Sequence, residues 1–359
     1  MSKNLKDKCE CAKKTSIGGQ ALLEGIMMRG PKKTAMAVRD PDGEIVLEKW
    51  DNKTPKNPKL YKMPIIRGLF NFAASMSLGY KCLMRSAEIA GLEEEETPKK
   101  KKGKDTAEAD NVETDKAEGV EEKATEKDGK EEKSSSALMT VVMVIATVLG
   151  VVLSVGLFFM LPTFIFEWCA RVMPFLRPDN AALNSLIKSV FEGLLKIAIL
   201  VAYMALVSLM KDIRRTFQYH GAEHKTIFCY ENGLELTVEN VKAQRRFHPR
   251  CGTSFLILML IVGIFISFFI DPLFILITGD VPHVAIRAVI KLLTIPLMMG
   301  IGYELIKLAG RHQNLFTRII SAPGMWLQHI TVREPSDDMI ECAIKAFVEV
   351  IPEDDSDKF

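Results

Sequence analysis

Two stretches of the chain concentrate side chains able to bind a metal or move a proton: FQYHGAEHKTIFCYENG at 217–233 and RRFHPRCGTS at 245–254. His220 and His224 stand four residues apart, which places both imidazoles on one face of a helix within reach of a single ion. Asn232-Gly233 predicts where that helix ends. Glu223 precedes the second histidine and gives the order H-x-x-E-H, in which the carboxylate serves as general base beside histidine-bound zinc. His248 and Cys251 follow in a short loop and offer a further nitrogen and a thiolate. Three of the six histidines, together with Cys251, thus fall between positions 220 and 251.

The ligand count decides the chemistry. His220, His224, His248 and Cys251 together make a closed, structural zinc site, whereas three of them and a water leave an open site in which Glu223 takes the water's proton. Two readings without metal stand beside these: interfacial residues touching headgroups or neighbouring helices, and a proton relay. Gly221 within the helix and the basic surroundings weigh against a metal. Glu304 is a candidate remote carboxylate ligand. Glu192 and Lys196, four apart inside an apolar run, most simply pair with each other, the alternative being a transport path. His283 and His312 flank the last apolar run, and Cys9-x-Cys11 sits in a polar tail.

The elements that must hold these residues are membrane helices. Four apolar runs are each long enough to cross the bilayer: 138–161 continuing past Pro162 to 166, 186–210, 255–278, and 284–309 with Pro296 inside it. The segment 211–253 carries eight Lys/Arg, the loop 167–185 two, and 271–283 none. This asymmetry predicts that 211–253 and both termini are cytoplasmic. The amino terminus is basic with no apolar stretch behind it, so no secretory signal is expected.

Residues 1–15 are read as a disordered tail and 16–92 as a small α+β domain. There TAMAV and EIVLEKW flank the turn Asp40-Pro41-Asp42-Gly43 as a β-hairpin. One hairpin alone is marginal. Its predicted cover is an amphipathic helix over 64–90, with Pro64 in the first helical position, lying on the hairpin or on the membrane surface. Residues 93–136 hold 16 Asp/Glu and 10 Lys with no aromatic residue, the composition of a disordered charged linker. A membrane domain over 137–310, containing the segment 211–253, and a cytoplasmic region over 311–359 complete the chain. The fold class expected is an α-helical polytopic membrane protein with about four transmembrane helices and a small α+β N-terminal region.

The 359 residues are 48% apolar with a net charge of +2, but the charge is sorted by segment, so the average identifies no partner. The Lys99–Lys102 run follows four glutamates without interleaved aromatics, and no nucleic-acid partner is expected. Seven cysteines at irregular spacing do not form a disulfide framework.

The segments GGQALLEGIMMRGP (18–31), YHGAEHKTIFCYENG (219–233), FHPRCGTSF (247–255) and PGMWLQHITVREP (323–335) resemble the YqhQ-like family of bacterial membrane proteins. The resemblance implies an inner-membrane protein without an established reaction, labelled a metal-dependent enzyme, with that label falling on His220, Glu223, His224, His248 and Cys251. His329 stands where that family has arginine, and the charged linker is longer. Together these readings point to a zinc-binding membrane protein acting at the cytoplasmic face, with Glu223 as the catalytic residue of a hydrolase. The competing class is a non-enzymatic scaffold or biogenesis factor of a translocon or other complex, binding a protein partner or anionic lipid at that face.

Overall fold

The computed structural model describes residues 14–52, 63–91, 145–280, 282–311 and 314–357. The charged linker and the Cys9-x-Cys11 pair lie outside the described residues, as does His312. Residues 95–161 form a unit of their own, helical where described, from 145 onward; the remainder of the chain forms the other unit.

The N-terminal segment folds into a four-stranded antiparallel meander, β1 (Gly18–Leu22), β2 (Gly25–Arg29), β3 (Lys33–Arg39) and β4 (Ile45–Asp51), in that spatial order. The expected hairpin is β3–β4, with Val38 opposite Val46 and a turn closed by Gly43 in the left-handed region. Residues 18–29 form a second hairpin, β1–β2, that the turn signals did not announce. Its two-residue turn, Leu23-Glu24, puts Glu24 at positive φ, a conformation that a non-glycine residue adopts only when its surroundings hold it. Here the Arg215 guanidinium grips the Glu24 carboxylate, with Nε donating at 2.5 Å.

Both faces of the sheet are buried, and alternation sorts β2 and β3 between them. Ile26, Met28, Ala35 and Ala37 point to one side, and Met27, Met36 and Val38 to the other. Helix α1 (Ile66–Ile89) covers the second side through Leu78, Cys82 and Leu83. Pro64 lies before this helix, not at its first position: the chain turns at Ile65, at positive φ, and the helix starts after it.

Among the described residues, four helices are long and apolar enough to cross a membrane: Ile145–Val172, Leu183–Val207, Gly252–Thr278 and Ile286–Arg311. The first is α2, with a π-helical turn at Gly156–Met160. The second lies in α3 (Ala181–Val207), which starts earlier than its apolar run because the Asn180 side chain accepts from Leu183 N–H and caps it. Between the second and third spans, the basic segment folds as α4 (Lys211–Glu231) and the short α5 (Val238–Lys242). The third span is α6 (Gly252–Thr278). The fourth is interrupted at Thr294 into α7 (Val284–Leu293) and α8 (Ile295–Arg311), so Pro296 occupies the first turn of α8. Two helices follow, α9 (Leu315–Thr331) and α10 (Asp337–Val348).

Helix α10 covers the first side of the sheet. Met339, Ile340, Ala343 and Phe347 share one core with Ile26, Ala37 and with Tyr219, Ala222 and Ile227 of α4. The C-terminal region, the sheet and the metal-motif helix are therefore packed as one body.

Within the spans, Glu192 does not take Lys196 as its main partner. It meets Lys291 of α7 at 3.0 Å and accepts from the Thr163 hydroxyl. Asp271 of α6 is bound by the Arg287 guanidinium and by the Ser185 hydroxyl at 2.7 Å.

Candidate metal centre

Helix α4 runs from Lys211 and stops at Asn232, with Gly233 in the left-handed region, as the Asn-Gly pair predicted. Its second half is buried, and the rings of His220 and His224 stack edge to face, 4.5 Å apart between centroids. Gly221 is a requirement of this packing. A Cβ there would lie 1.9 Å from the Arg333 carbonyl oxygen, because the strand-like segment leaving α9 crosses the helix at that point.

Cys251 caps the start of α6, its sulfur accepting from Thr253 N–H. The His220 Nε2 atom lies 3.1 Å from that sulfur. Donor atoms of His220, His224 and Cys251 all lie within 4.8 Å of one another.

The other nitrogen of each ring fixes its orientation. His220 Nδ1 faces the Thr331 carbonyl at 3.0 Å and His224 Nδ1 faces the Arg246 carbonyl at 2.5 Å. A carbonyl only accepts, so each Nδ1 must carry the proton and donate it. Both Nε2 atoms are then left as lone pairs. That of His224 is buried and has no hydrogen-bond partner among the described residues. A buried acceptor without a donor is costly, and backbone carbonyls locking Nδ1–H is the arrangement that orients a metal-binding imidazole. Burial also holds the His224 pKa below its ordinary value, with Cys251 opposing the shift. The neutral ring that a ligand requires is thus favoured. Burial alone would raise the Cys251 thiol; His224 and the Thr253 hydroxyl and N–H outweigh it and hold the thiol below its usual range.

Glu223 is buried on the neighbouring face. Burial pushes its pKa up to about 7, against the opposing effects of His220 and of Gly19 N–H. That N–H, on the edge strand β1, donates to Oε1 at 2.9 Å. A cleft of about 160 Å³ opens onto Glu223, His224, His248 and Cys251, bounded by Gly18 and Gly19. Gly19 allows the contact: a Cβ there would sit 2.6 Å from Met27 O and 3.1 Å from the Glu223 carboxyl carbon.

His248 borders the cleft but is not among the three gathered donors. Its ring centroid is 5.5 Å from that of His224, its Nδ1 accepts from Arg250 N–H, and its Nε2 is 3.2 Å from the Arg250 guanidinium. Gln328 clamps the backbone here: His248 N–H donates to Oε1, and Nε2 donates to His248 O, each at 2.8 Å. Arg250 in turn ion-pairs with Glu231. Burial alone would raise the Glu231 pKa, but His248, Arg250 and Thr15 N–H hold it at about 2.

Glu304 is taken by Arg67, whose Nε donates at 2.6 Å, and stands apart from the gathered donors. His329 is exposed, against the Phe247 ring. Gly19, Gln328 and Glu231 were not singled out from the sequence, although Gly19 and Gln328 lie in the GGQALL and WLQHIT segments. The carbonyls of Thr331 and Arg246 have no sequence signal at all.

The family model described as "Protein of unknown function (DUF1385)" matches residues 63–353. The chain is also 32% identical over 342 residues to "Uncharacterized protein YqhQ" of Bacillus subtilis (strain 168), covering 94% of this chain and 92% of that protein. No solved structure matches it. Neither description names an activity, so the metal-dependent-enzyme label attached to the resemblance gains no support from them.

Proposed function

The chain belongs to the DUF1385 family of proteins of unknown function, and on that premise we propose that it is a zinc-binding membrane hydrolase. In this reading His220, His224 and Cys251 hold the ion, and Glu223 is the general base. The face carrying α4 and both termini is placed in the cytoplasm, for which the eight Lys/Arg of 211–253 are the support. The spans are assigned to the cell (inner) membrane, for which the four long apolar helices are the support.

One observation carries the metal reading. Two imidazoles, His224 buried and His220 half-buried, are each locked by a backbone carbonyl so that Nε2 is a lone pair, and both converge on a cysteine sulfur. Two nitrogens and a softened thiolate are a donor set suited to zinc. With three protein donors the fourth position is left open, and zinc so held would supply Lewis acidity to a water or a carbonyl group there. Glu223 does the rest. Its Oε1 is occupied by Gly19 N–H, so Oε2 is the atom left to take a proton from water, and a pKa near 7 suits both taking and returning it.

Elemental analysis of purified protein tests this. About one zinc per chain is expected for three convergent donors on one ion. His220→Ala, His224→Ala and Cys251→Ser should each lose it, while Glu223→Gln keeps it. His248→Ala should also keep it. If His248→Ala empties the site, four protein ligands close it, and the zinc is structural. Folded protein purified without chelators that carries no metal, and takes up none on titration, would falsify the site.

A further inference from the structure

Two clefts lie between the sheet and α1, and Arg29 lines both of them. Arg29 ends β2. Met27, two residues before it, packs on the α1 side, so alternation turns Arg29 to the same face. There the arginine is half-buried, and its guanidinium makes no hydrogen bond, ion pair or ring contact among the described residues. Arginine does not shed its charge, and a charge drawn out of bulk water without a partner is costly.

The smaller cleft, of about 250 Å³, is equipped to supply that partner with further donors. Ser16, Gln20 of β1 and Ser75 of α1 line it, and none of these three side chains has a hydrogen bond among the described residues. No carboxylate lies among its described lining residues. Gln20 fits against α1 because Gly79 is bare: a Cβ there would lie 2.1 Å from Gln20 Oε1. Gly18 stands directly across the ladder from Arg29, about 5 Å away between Cα atoms. A Cβ on Gly18 would meet nothing within 4 Å, so a missing side chain leaves open the space beside the guanidinium.

The larger cleft, of about 570 Å³, adds Lys81 of α1, which is likewise without a partner among the described residues. Arg85 in the same wall is spent on Glu48 and Glu88. Asp51 lines this cleft too, but it pairs with neither Arg29 nor Lys81. Two unspent cations and three unspent neutral donors therefore gather where the clefts meet at Arg29.

We propose that the cleft between the β1–β2 hairpin and α1 is a phosphate-binding site anchored by Arg29. A guanidinium fork suits carboxylate and phosphate alike. The remaining groups decide between them. The fork alone fills the two oxygens of a carboxylate, whereas a phosphate has a third oxygen to accept from Ser16, Ser75 or Gln20, and a second charge for Lys81. Ser16, Gly18 and Gly19 also border the cleft at Glu223, so the phosphate sits beside the metal centre and not on it. Its binding does not depend on a metal there.

The test is a titration of the full chain, in a neutral maltoside detergent, with inorganic phosphate followed by phosphorus NMR. Saturable binding is expected, and Arg29→Gln should weaken it at least about tenfold. Gly18→Leu should weaken it similarly by filling the cleft, with an unchanged melting temperature, because its Cβ has room and its backbone is not in the left-handed region. Competition by glycerol phosphate alone assigns the site to a soluble phosphate, and competition by phosphatidic acid in the same micelles assigns it to a lipid headgroup; either upholds the site. Absence of saturable binding in the wild type overturns the proposal, as does wild-type affinity in either variant. Binding that a chelator abolishes and Arg29→Gln retains would place the anion on the metal. The phosphate site would then fall while the metal reading stood.

Discussion

The cluster at the mouth of α6 and the cluster in its second half are both buried and polar, but they satisfy burial in opposite ways. In the second half, carboxylates meet cations: Glu192 with Lys291, and Asp271 with Arg287, each adding a hydroxyl donor. Opposite charges on neighbouring helices cancel, which makes the arrangement tolerable in an apolar layer even though Asp271 Oδ1 and Arg287 Nε have no hydrogen-bond partner among the described residues. At the mouth, the Cys251 thiol lies 3.1 Å from the His220 Nε2 lone pair and has one proton to share with it, while the buried Nε2 of His224 has no donor. That acceptor is not cancelled; it calls for a cation or a proton. Charge-matched partners indicate a cluster that holds helices together, whereas an unmatched acceptor among convergent ones indicates one shaped for a ligand.

The largest effect expected from this contrast falls on the matched cluster. Glu192→Ala leaves Lys291 buried beside a cavity with no counter-charge, and should destabilise the protein by about 3–5 kcal/mol. The double substitution Glu192→Leu with Lys291→Met removes both charges and should recover most of that loss. Denaturation in detergent reads both. If the double variant is as unstable as the single one, the pair does more than compensate itself, and the distinction between the clusters fails.

A second, smaller effect separates the metal-bearing side from its support. Glu231 has its folded pKa at about 2 and an ordinary value of 4.5. A depressed carboxylate contributes stability that is present above the ordinary value and is lost as pH falls from there through the folded value. The difference corresponds to roughly 3 kcal/mol between pH 7 and pH 2. Unfolding of metal-free protein, followed from pH 6 down to pH 2, should show this loss, and Glu231→Gln should flatten it. An unchanged slope in that variant would mean that the Arg250–Glu231–Thr15 knot is not what ties the N-terminal segment to the site.

How much of this was legible beforehand depends on the range of the interaction. His220 and His224 on one face, the end of α4 at Asn232-Gly233, the four spans and the β3–β4 hairpin all follow from spacings within one element. The β1–β2 hairpin was hidden because Leu23-Glu24 is not a turn dipeptide; it is held open by Arg215, far along the chain. A single hairpin seemed marginal because α10, the cover of the sheet's other face, lies some 300 residues away. Glu192 seemed matched to Lys196 because i,i+4 pairing is the local choice, and Lys291 on another helix was invisible to it. Gly221 looked like a flaw in a metal helix, whereas it is the contact point for Arg333. The orientation of the two imidazoles depends on main-chain carbonyls, which no residue type announces.

The smallest effect tests whether the mouth of α6 is shaped in advance or only when a metal arrives. Gln328 touches none of the three gathered donors, but it accepts from His248 N–H and donates to His248 O and to the Ser254 hydroxyl. It thereby fixes the turn that delivers Cys251, three residues after His248, to His220. Gln328→Ala removes three hydrogen bonds at a fully buried position without touching a donor atom. If the turn is held in place before binding, zinc affinity should fall about 10–100-fold, the range typical of losing an outer-shell support. Gln328→Glu keeps the acceptor for His248 N–H but loses the two donors, so its affinity should fall between those of the wild type and the alanine variant. Competition with a fluorescent zinc chelator measures all three proteins. Affinity unchanged in Gln328→Ala, with the fold intact, would show that the ion itself draws Cys251 into place. The mouth of α6 would then owe its geometry to the ligand, and only the charge-matched cluster deeper in the helix would be preorganised.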